Sequence, residues 1–332
     1  MNTGRERLAG PASDRSRLVI GIQGPTGVGK TEVAVAFARL LGTRIISCDS
    51  MQIYAGFPVL TNQPRGLEHA SHLHELVGCV DAGRSLSAGE YAAMAKPLVD
   101  RELASCSWAL VVGGSGLYMR AVLAPLATAK AMDLQQREVL ETRAEHEGID
   151  SLYQQLTELD PEAARCIDRR NARRVVRALE VVLGGHGLWS GRGDLWSPSY
   201  YHPTMIVGLV TDRGLLAGRI LARAERMFDE GAVEEVRRFR EERGERDTKP
   251  GGPGICSAIG YGEIVRLLHA ELDRAGAVEE IAAATRRYAR RQLTWLRKVR
   301  DAVMIDVRGR DPEQVAEEIL ALAALRASRG SL

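Results

Sequence analysis

The run Gly24-Pro25-Thr26-Gly27-Val28-Gly29-Lys30-Thr31 constrains this chain more than any other stretch. It matches G-x-x-x-x-G-K-[ST] in full, a pattern expected by chance about 0.01 times at this length. An apolar run precedes it at residues 18–23 (LVIGIQ), and a run with helical apolar spacing follows at 31–41 (TEVAVAFARLL). Strand, glycine-rich loop and helix in that order make a phosphate cradle. Backbone N–H groups of Gly24, Thr26, Gly27 and Gly29 can close around phosphate oxygens at the positive end of the helix. Lys30 is expected to neutralise the outer phosphate charge, and Thr31 to hold a Mg²⁺.

The rest of the chain gives that loop a setting. Residues 44–48 (RIISC), 108–112 (WALVV, then Gly113-Gly114) and 205–210 (MIVGLV) read as further buried strands. Strands alternating with helices predict a parallel sheet in an α/β fold. Residues 132–183 change character: charge, Gln, Leu and Ala dominate, and β-branched runs are nearly absent, which predicts helices. Asp160-Pro161 reads as a helix start. A Gly/Ser/Trp-rich loop follows at 184–199, in which Trp189 and Trp196 are open between contacting a nucleotide and capping the core. The expected division is a tail at 1–17, a core at 18–131 and 200–308, a helical insertion at 132–199, and a C-terminal helix or tail at 309–332.

Composition excludes several classes. At 332 residues and 45% hydrophobic content the chain can bury a sizeable core. Its 45 basic and 43 acidic residues give a charge of +2, which argues against a polyanion-coating protein. Aromatics at 5% argue against binding single strands mainly by stacking. The five cysteines (Cys48, Cys79, Cys106, Cys166, Cys256) are scattered without a C-x-x-C, so neither a disulfide framework nor a zinc site is expected. Reduced thiols point to the cytoplasm. The uncharged run 103–119 is shorter and more polar than a membrane span, and residues 1–17 have no apolar core to make a secretory signal. No membrane partner is expected.

A nucleotide-hydrolysing enzyme would also carry a strand ending in an acid. The third strand ends instead in Val112-Gly113-Gly114-Ser115-Gly116, while Asp212 and Asp306 close apolar runs late in the chain. The acid in the expected neighbourhood is Asp49, just after the second strand and taken to lie one strand from the phosphate loop. A carboxylate at the C-terminal end of a parallel strand faces the ligand crevice. That position suits a general base acting on an acceptor. Residue chemistry thus points to group transfer involving a phosphate or diphosphate. It leaves open a small-molecule kinase or a transferase with a diphosphate leaving group.

Six ordered blocks resemble one family, the tRNA dimethylallyltransferases (isopentenyltransferases): GPTGVGKT, SCDSMQIY at 47–54, VGGSGLY at 112–118, DPEAA at 160–164, NARRVVRALE at 171–180 and RRQLTWLR at 290–297. The resemblance implies a P-loop NTPase-like parallel sheet flanked by helices, with an inserted all-helical subdomain that grips the anticodon stem. It implies that the phosphate loop holds dimethylallyl diphosphate with Mg²⁺, and that Asp49 deprotonates the N6 amine of an adenine beside the anticodon of tRNA. Ser115 takes the place of a hydroxyl near the diphosphate, and Ser50, Met51 and Gln52 line the pocket of the flipped adenine. Arg137, Asn171, Arg173, Arg174, Arg290, Arg291, Gln292, Trp295 and Arg297 fall at tRNA-contact positions. A monomer is expected.

The chain also departs from the family pattern. Ser257 and Gly262 stand where arginines usually flank the A-x-G-Y segment, and Leu60-Thr61-Asn62-Gln63 replaces G-T-A-K. His74-Glu75-Leu76 replaces His-His-Leu, and His69, His72 and His74 read as a polar loop rather than a metal site. These changes keep two alternatives beside the tRNA reading. One is the same chemistry on a free adenine nucleotide or specialised metabolite, and the other is a catalytically reduced RNA-binding homologue.

Overall fold

The computed structural model describes residues 17–66, 70–125, 134–185 and 199–329. Residues 1–16 of the tail, His69, Trp189 and Trp196 lie outside the described residues. The chain forms two compact units, Met1–Pro125 with Pro198–Leu332, and Leu126–Ser197.

In the first unit β1 (Leu18–Gln23) is buried along its whole length, as a strand covered on both faces must be. The phosphate loop turns it into α1 (Lys30–Leu41), which ends at Gly42 in the left-handed conformation that glycine adopts without strain. β2 (Ile45–Ser47) and β3 (His74–Glu75) follow. The next element, α2 (Ala88–Cys106), is assigned by nothing in the sequence reading, because Pro97 interrupts its pattern. A capping box starts it: Ser87 accepts from the Glu90 N–H while Glu90 reaches back to the Ser87 N–H, the S-x-x-E signal in SAGE. β4 (Trp108–Gly113) and α3 (Gly116–Leu123) complete this half.

The second unit is helical: α4 (Leu134–His146), α5 (Ile149–Leu159), α6 (Pro161–Cys166) and α7 (Ala172–Leu183). Asp160 accepts from the Ala163 N–H at 3.0 Å, with Pro161 in the first turn of α6, and Asn171 caps α7 on the Arg174 N–H at 3.2 Å. Leu140, Leu152, Leu156, Val175 and Leu179 form its own apolar core.

Back in the first unit come β5 (Thr204–Val210), α8 (Arg213–Asp229), α9 (Ala232–Arg243), α10 (Tyr261–Leu268), α11 (Arg274–Leu296), β6 (Val303–Asp306) and α12 (Pro312–Arg329). Val315, Ala316, Ile319 and Ala323 of α12 belong to the main core with Phe37 of α1, so the C-terminal segment is part of the globule. The sheet is parallel throughout, in the order β3-β2-β4-β1-β5-β6. This order corrects one expectation: Asp49 is not one strand from the phosphate loop, because β4 lies between β2 and β1. The apolar pattern marks each strand as buried, but the neighbours of a strand are chosen by non-local pairing.

Candidate active site

Three segments meet at the C-terminal edge of the sheet: the phosphate loop after β1, residues 48–52 after β2, and the Gly113-Gly114-Ser115 turn after β4. Gly27 and Gly29 have φ of 82° and 104°, where a side chain would be strained, so the loop backbone can curl as a phosphate cradle requires. Gly113 lets the β2 end approach β4 closely. A Cβ there would fall 1.8 Å from the Cys48 carbonyl oxygen, whose residue donates its N–H to Val112 O at 2.6 Å. In this way Asp49 comes near the loop even with a strand between.

Asp49 holds its turn with one oxygen: Oδ1 accepts from the Met51 N–H at 2.9 Å and the Gln52 N–H at 3.3 Å. Lys30 donates to Pro25 O at 2.8 Å. Burial lowers its pKa to about 8, against the attraction of Asp49 and with the help of Arg223. The cavity above these groups measures about 780 Å³ and takes in the loop, Asp49, Ser50, Met51 and Gln52. Among the described residues its carboxylates are Asp49 and Glu32, while Lys30, Arg219, Arg223, Arg226 and Arg291 are among its basic groups. That imbalance suits a multiply charged anion. Leu60, Met227 and Ile281 converge around Gly260, whose φ is 99°, and give the cavity an apolar wall.

Arg219 and Arg223 are missing from the sequence reading. Arg223 Nη1 donates to Thr26 Oγ1 at 2.8 Å, and Arg219 reaches the Gly27 and Val28 carbonyls at 3.4 Å. Burial lowers the pKa of Arg223, opposed by nearby Asp49. A signal existed: the two arginines are four apart, on one face of the helix that follows an apolar strand. Asp212, considered above as a strand-end acid, instead caps that helix on the Gly214 and Leu215 N–H groups. Asp306 pairs with Arg308. Ser257 lines the cavity and donates to Gly254 O at 2.8 Å, so the cations near the loop come from α8 rather than from that position.

Mg²⁺ usually takes one or two carboxylates and fills its remaining positions with substrate phosphate oxygens and water. The cavity offers the Thr31 hydroxyl and Asp49, and among the described residues no cluster of three or more His, Cys, Asp or Glu could hold a metal by itself. This sparse oxygen set fits Mg²⁺ arriving with a diphosphate. All five cysteines are free, and among the described residues no helix is long and apolar enough to cross a membrane.

The remaining candidate residues divide. Ser115 Oγ lies 3.3 Å from Ser50 Oγ and 3.4 Å from the Tyr288 hydroxyl. Arg290 and Arg291 are exposed on α11, and Arg297 is exposed just after it. Gln292, placed by resemblance among the tRNA contacts, is only 5% exposed, and its Oε1 accepts the Thr26 N–H at 2.9 Å. Trp295 packs against α3 at Gly116, where a Cβ would fall 1.9 Å from its ring. In the helical unit Arg173 and Arg174 are exposed, Asn171 serves as a cap, and Arg137 pairs with Glu141 at 2.9 Å.

Comparison with known proteins agrees with this geometry. Residues 52–299 match the family model described as IPP transferase. A tRNA dimethylallyltransferase of Anaeromyxobacter dehalogenans is 36% identical over 307 residues, 91% of this chain and 99% of that one. One from Bacillus cytotoxicus is 33% identical over 91% of this chain and 93% of that one. The crystal structure of the full-length tRNA isopentenylpyrophosphate transferase from Bacillus halodurans superposes with a TM-score of 0.69 at 30% identity, covering 95% of this chain and 98% of that one. A eukaryotic dimethylallyltransferase acting on tRNA shares the fold, with a TM-score of 0.78 at 22% identity over 95% of this chain and 80% of that one. With the match spanning most of its length, the chain belongs to the IPP transferase family of tRNA dimethylallyltransferases.

Proposed function

We propose that this protein transfers a dimethylallyl group from dimethylallyl diphosphate to the N6 amine of an adenine next to the anticodon of a tRNA, releasing diphosphate. One observation carries the reading: a cation-rich cavity joins a phosphate loop to a strand-end aspartate and an apolar wall. The phosphate loop, Lys30 and Arg223 bind the diphosphate, and the wall of Leu60, Met227 and Ile281 takes the five-carbon chain. Ser50, Met51 and Gln52 seat the flipped adenine. The N6 lone pair is delocalised into the ring, so the amine needs a base. Asp49 takes the N6 proton as N6 bonds to C1, the C1–O bond breaks, and its electron pair leaves with diphosphate. Lys30, Arg223 and the loop N–H groups stabilise the charge growing on the leaving oxygens. When bound, Mg²⁺ would be held by Thr31 and the substrate oxygens and would add Lewis-acid stabilisation of the diphosphate.

Similarity to tRNA-modifying relatives along nearly the whole chain supports tRNA over a free nucleotide as acceptor. The acceptor and the free thiols support a cytoplasmic setting. The test offers unmodified tRNA and AMP in parallel with dimethylallyl diphosphate and Mg²⁺, and follows adenine mass. Prenylated tRNA with inert AMP is expected, and the reverse would overturn the acceptor. Asp49→Ala should cut turnover by roughly 10²–10⁴-fold. It should bind inorganic diphosphate at least as well as the native chain, because a repelling charge is gone. Near-normal turnover would remove Asp49 as the base.

A further inference from the structure

We propose that Gln292, with Tyr288 one turn before it on α11, is a positioning residue that locks the phosphate loop to the turn carrying Asp49. This inference rests on the prenyl-transfer reading and adds what holds donor and acceptor in register. Gln292 Oε1 accepts the Thr26 N–H at 2.9 Å across 266 residues of sequence, and Arg223 grips the Thr26 hydroxyl at 2.8 Å. Gln292 also sits over the β4 turn. A Cβ on Gly114 would fall 2.0 Å from its Nε2, so the absence of a side chain there is what admits the amide. The Tyr288 hydroxyl lies 3.4 Å from Ser115 Oγ, and Ser115 Oγ is 3.3 Å from Ser50 Oγ, the neighbour of Asp49. The ties run from the diphosphate-binding loop, through two side chains of one helix, to the residue beside the base.

The sheet explains why such a tie matters. β4 separates the strand of the loop from the strand of Asp49, so no direct backbone ladder sets their spacing. In-line attack needs the reacting atoms about 3–3.5 Å apart, and a displacement of about 1 Å costs roughly 100-fold in rate. A surface contact with RNA would look different. Arg290 and Arg291 are exposed on this helix, whereas Gln292 is 5% exposed and its carbonyl oxygen is occupied by the loop.

The test uses the full chain and four proteins: wild type, Gln292→Met, Gln292→Glu and Tyr288→Phe. Gln292→Met should lower kcat by roughly 10–100-fold with tRNA affinity in the absence of donor unchanged. Its affinity for inorganic diphosphate should fall several-fold. Gln292→Glu keeps an acceptor for the Thr26 N–H, so it should regain most of kcat at saturating donor while its added charge raises the donor KM. Tyr288→Phe should lower kcat by a smaller factor. Wild-type kcat and diphosphate affinity in Gln292→Met would overturn the proposal, as would a loss of tRNA affinity matching the loss of activity. If Gln292→Met fails to fold, wild-type kcat in Tyr288→Phe overturns it equally. A wild-type chain inert toward tRNA would defeat the functional reading instead, and diphosphate binding would still decide on Gln292.

Discussion

Lys30 lies where opposing influences meet. Burial drives its proton affinity down, Asp49 pulls it up, and Arg223 pushes it down again, leaving a pKa of about 8 against an ordinary 10.5. A folded-state pKa below the unfolded one means that the folded chain binds fewer protons between those values. The unliganded protein therefore gains stability from this group as pH rises through that window, and carries its burial cost below about pH 8. A bound diphosphate favours the ammonium. Binding of a non-transferable prenyl diphosphate should then draw in most of one proton at about pH 8.5 and little at about pH 7. Calorimetry in two buffers of different ionisation enthalpy measures this, and Lys30→Arg should abolish the difference. Equal proton uptake at both pH values would mean that Lys30 is not the group. The motif announces this lysine, whereas Arg223 and Gln292 reach Thr26 from 197 and 266 residues away.

At the scale of elements, the loop that carries Leu60 into the cavity depends on a buried carboxylate from α9. Glu235 is 7% exposed and accepts the Val59 N–H at 2.7 Å and the Leu60 N–H at 2.8 Å. Beside it Phe57 packs edge-on against Phe239 at 5.2 Å. The same loop is tied to the Asp49 segment by amides: Gln52 Nε2 donates to Asn62 O at 2.7 Å, and Gln63 Nε2 donates to the Gln52 and Tyr54 carbonyls. Gln63, where the family pattern has lysine, thus joins two backbone segments without a charge. Glu235→Ala orphans two buried N–H groups and should cost about 2–4 kcal/mol. Denaturant unfolding measures it, and a change within ±0.5 kcal/mol, typical of surface sites, would refute the clamp. Elements with strong local signals were legible: the loop between β1 and α1, and the Asp160-Pro161 start of α6. α2 was not, because its internal Pro97 obscured a helix whose start is encoded in Ser87 and Glu90.

Over the whole molecule the near-neutral charge of +2 conceals an uneven distribution. Basic groups crowd the cavity, and exposed arginines mark α11 and, in the helical unit, α6 and α7. Arg173→Glu with Arg174→Glu should weaken tRNA binding and flatten its salt dependence by about 2 in log–log slope or more. The doubly changed chain should bind inorganic diphosphate as before. Unchanged tRNA affinity, read by filter binding across a salt series, would remove these arginines from the interface. The sequence by itself determined the phosphate loop, the buried strands, the helical middle and, through six ordered blocks, the family, because each is written in short-range spacing. Tertiary structure alone decided that β4 separates Asp49 from the loop, that α8 supplies the arginines, and that α11 turns Gln292 inward. Such placements follow from which faces of distant elements bury one another, and no local pattern carries that information.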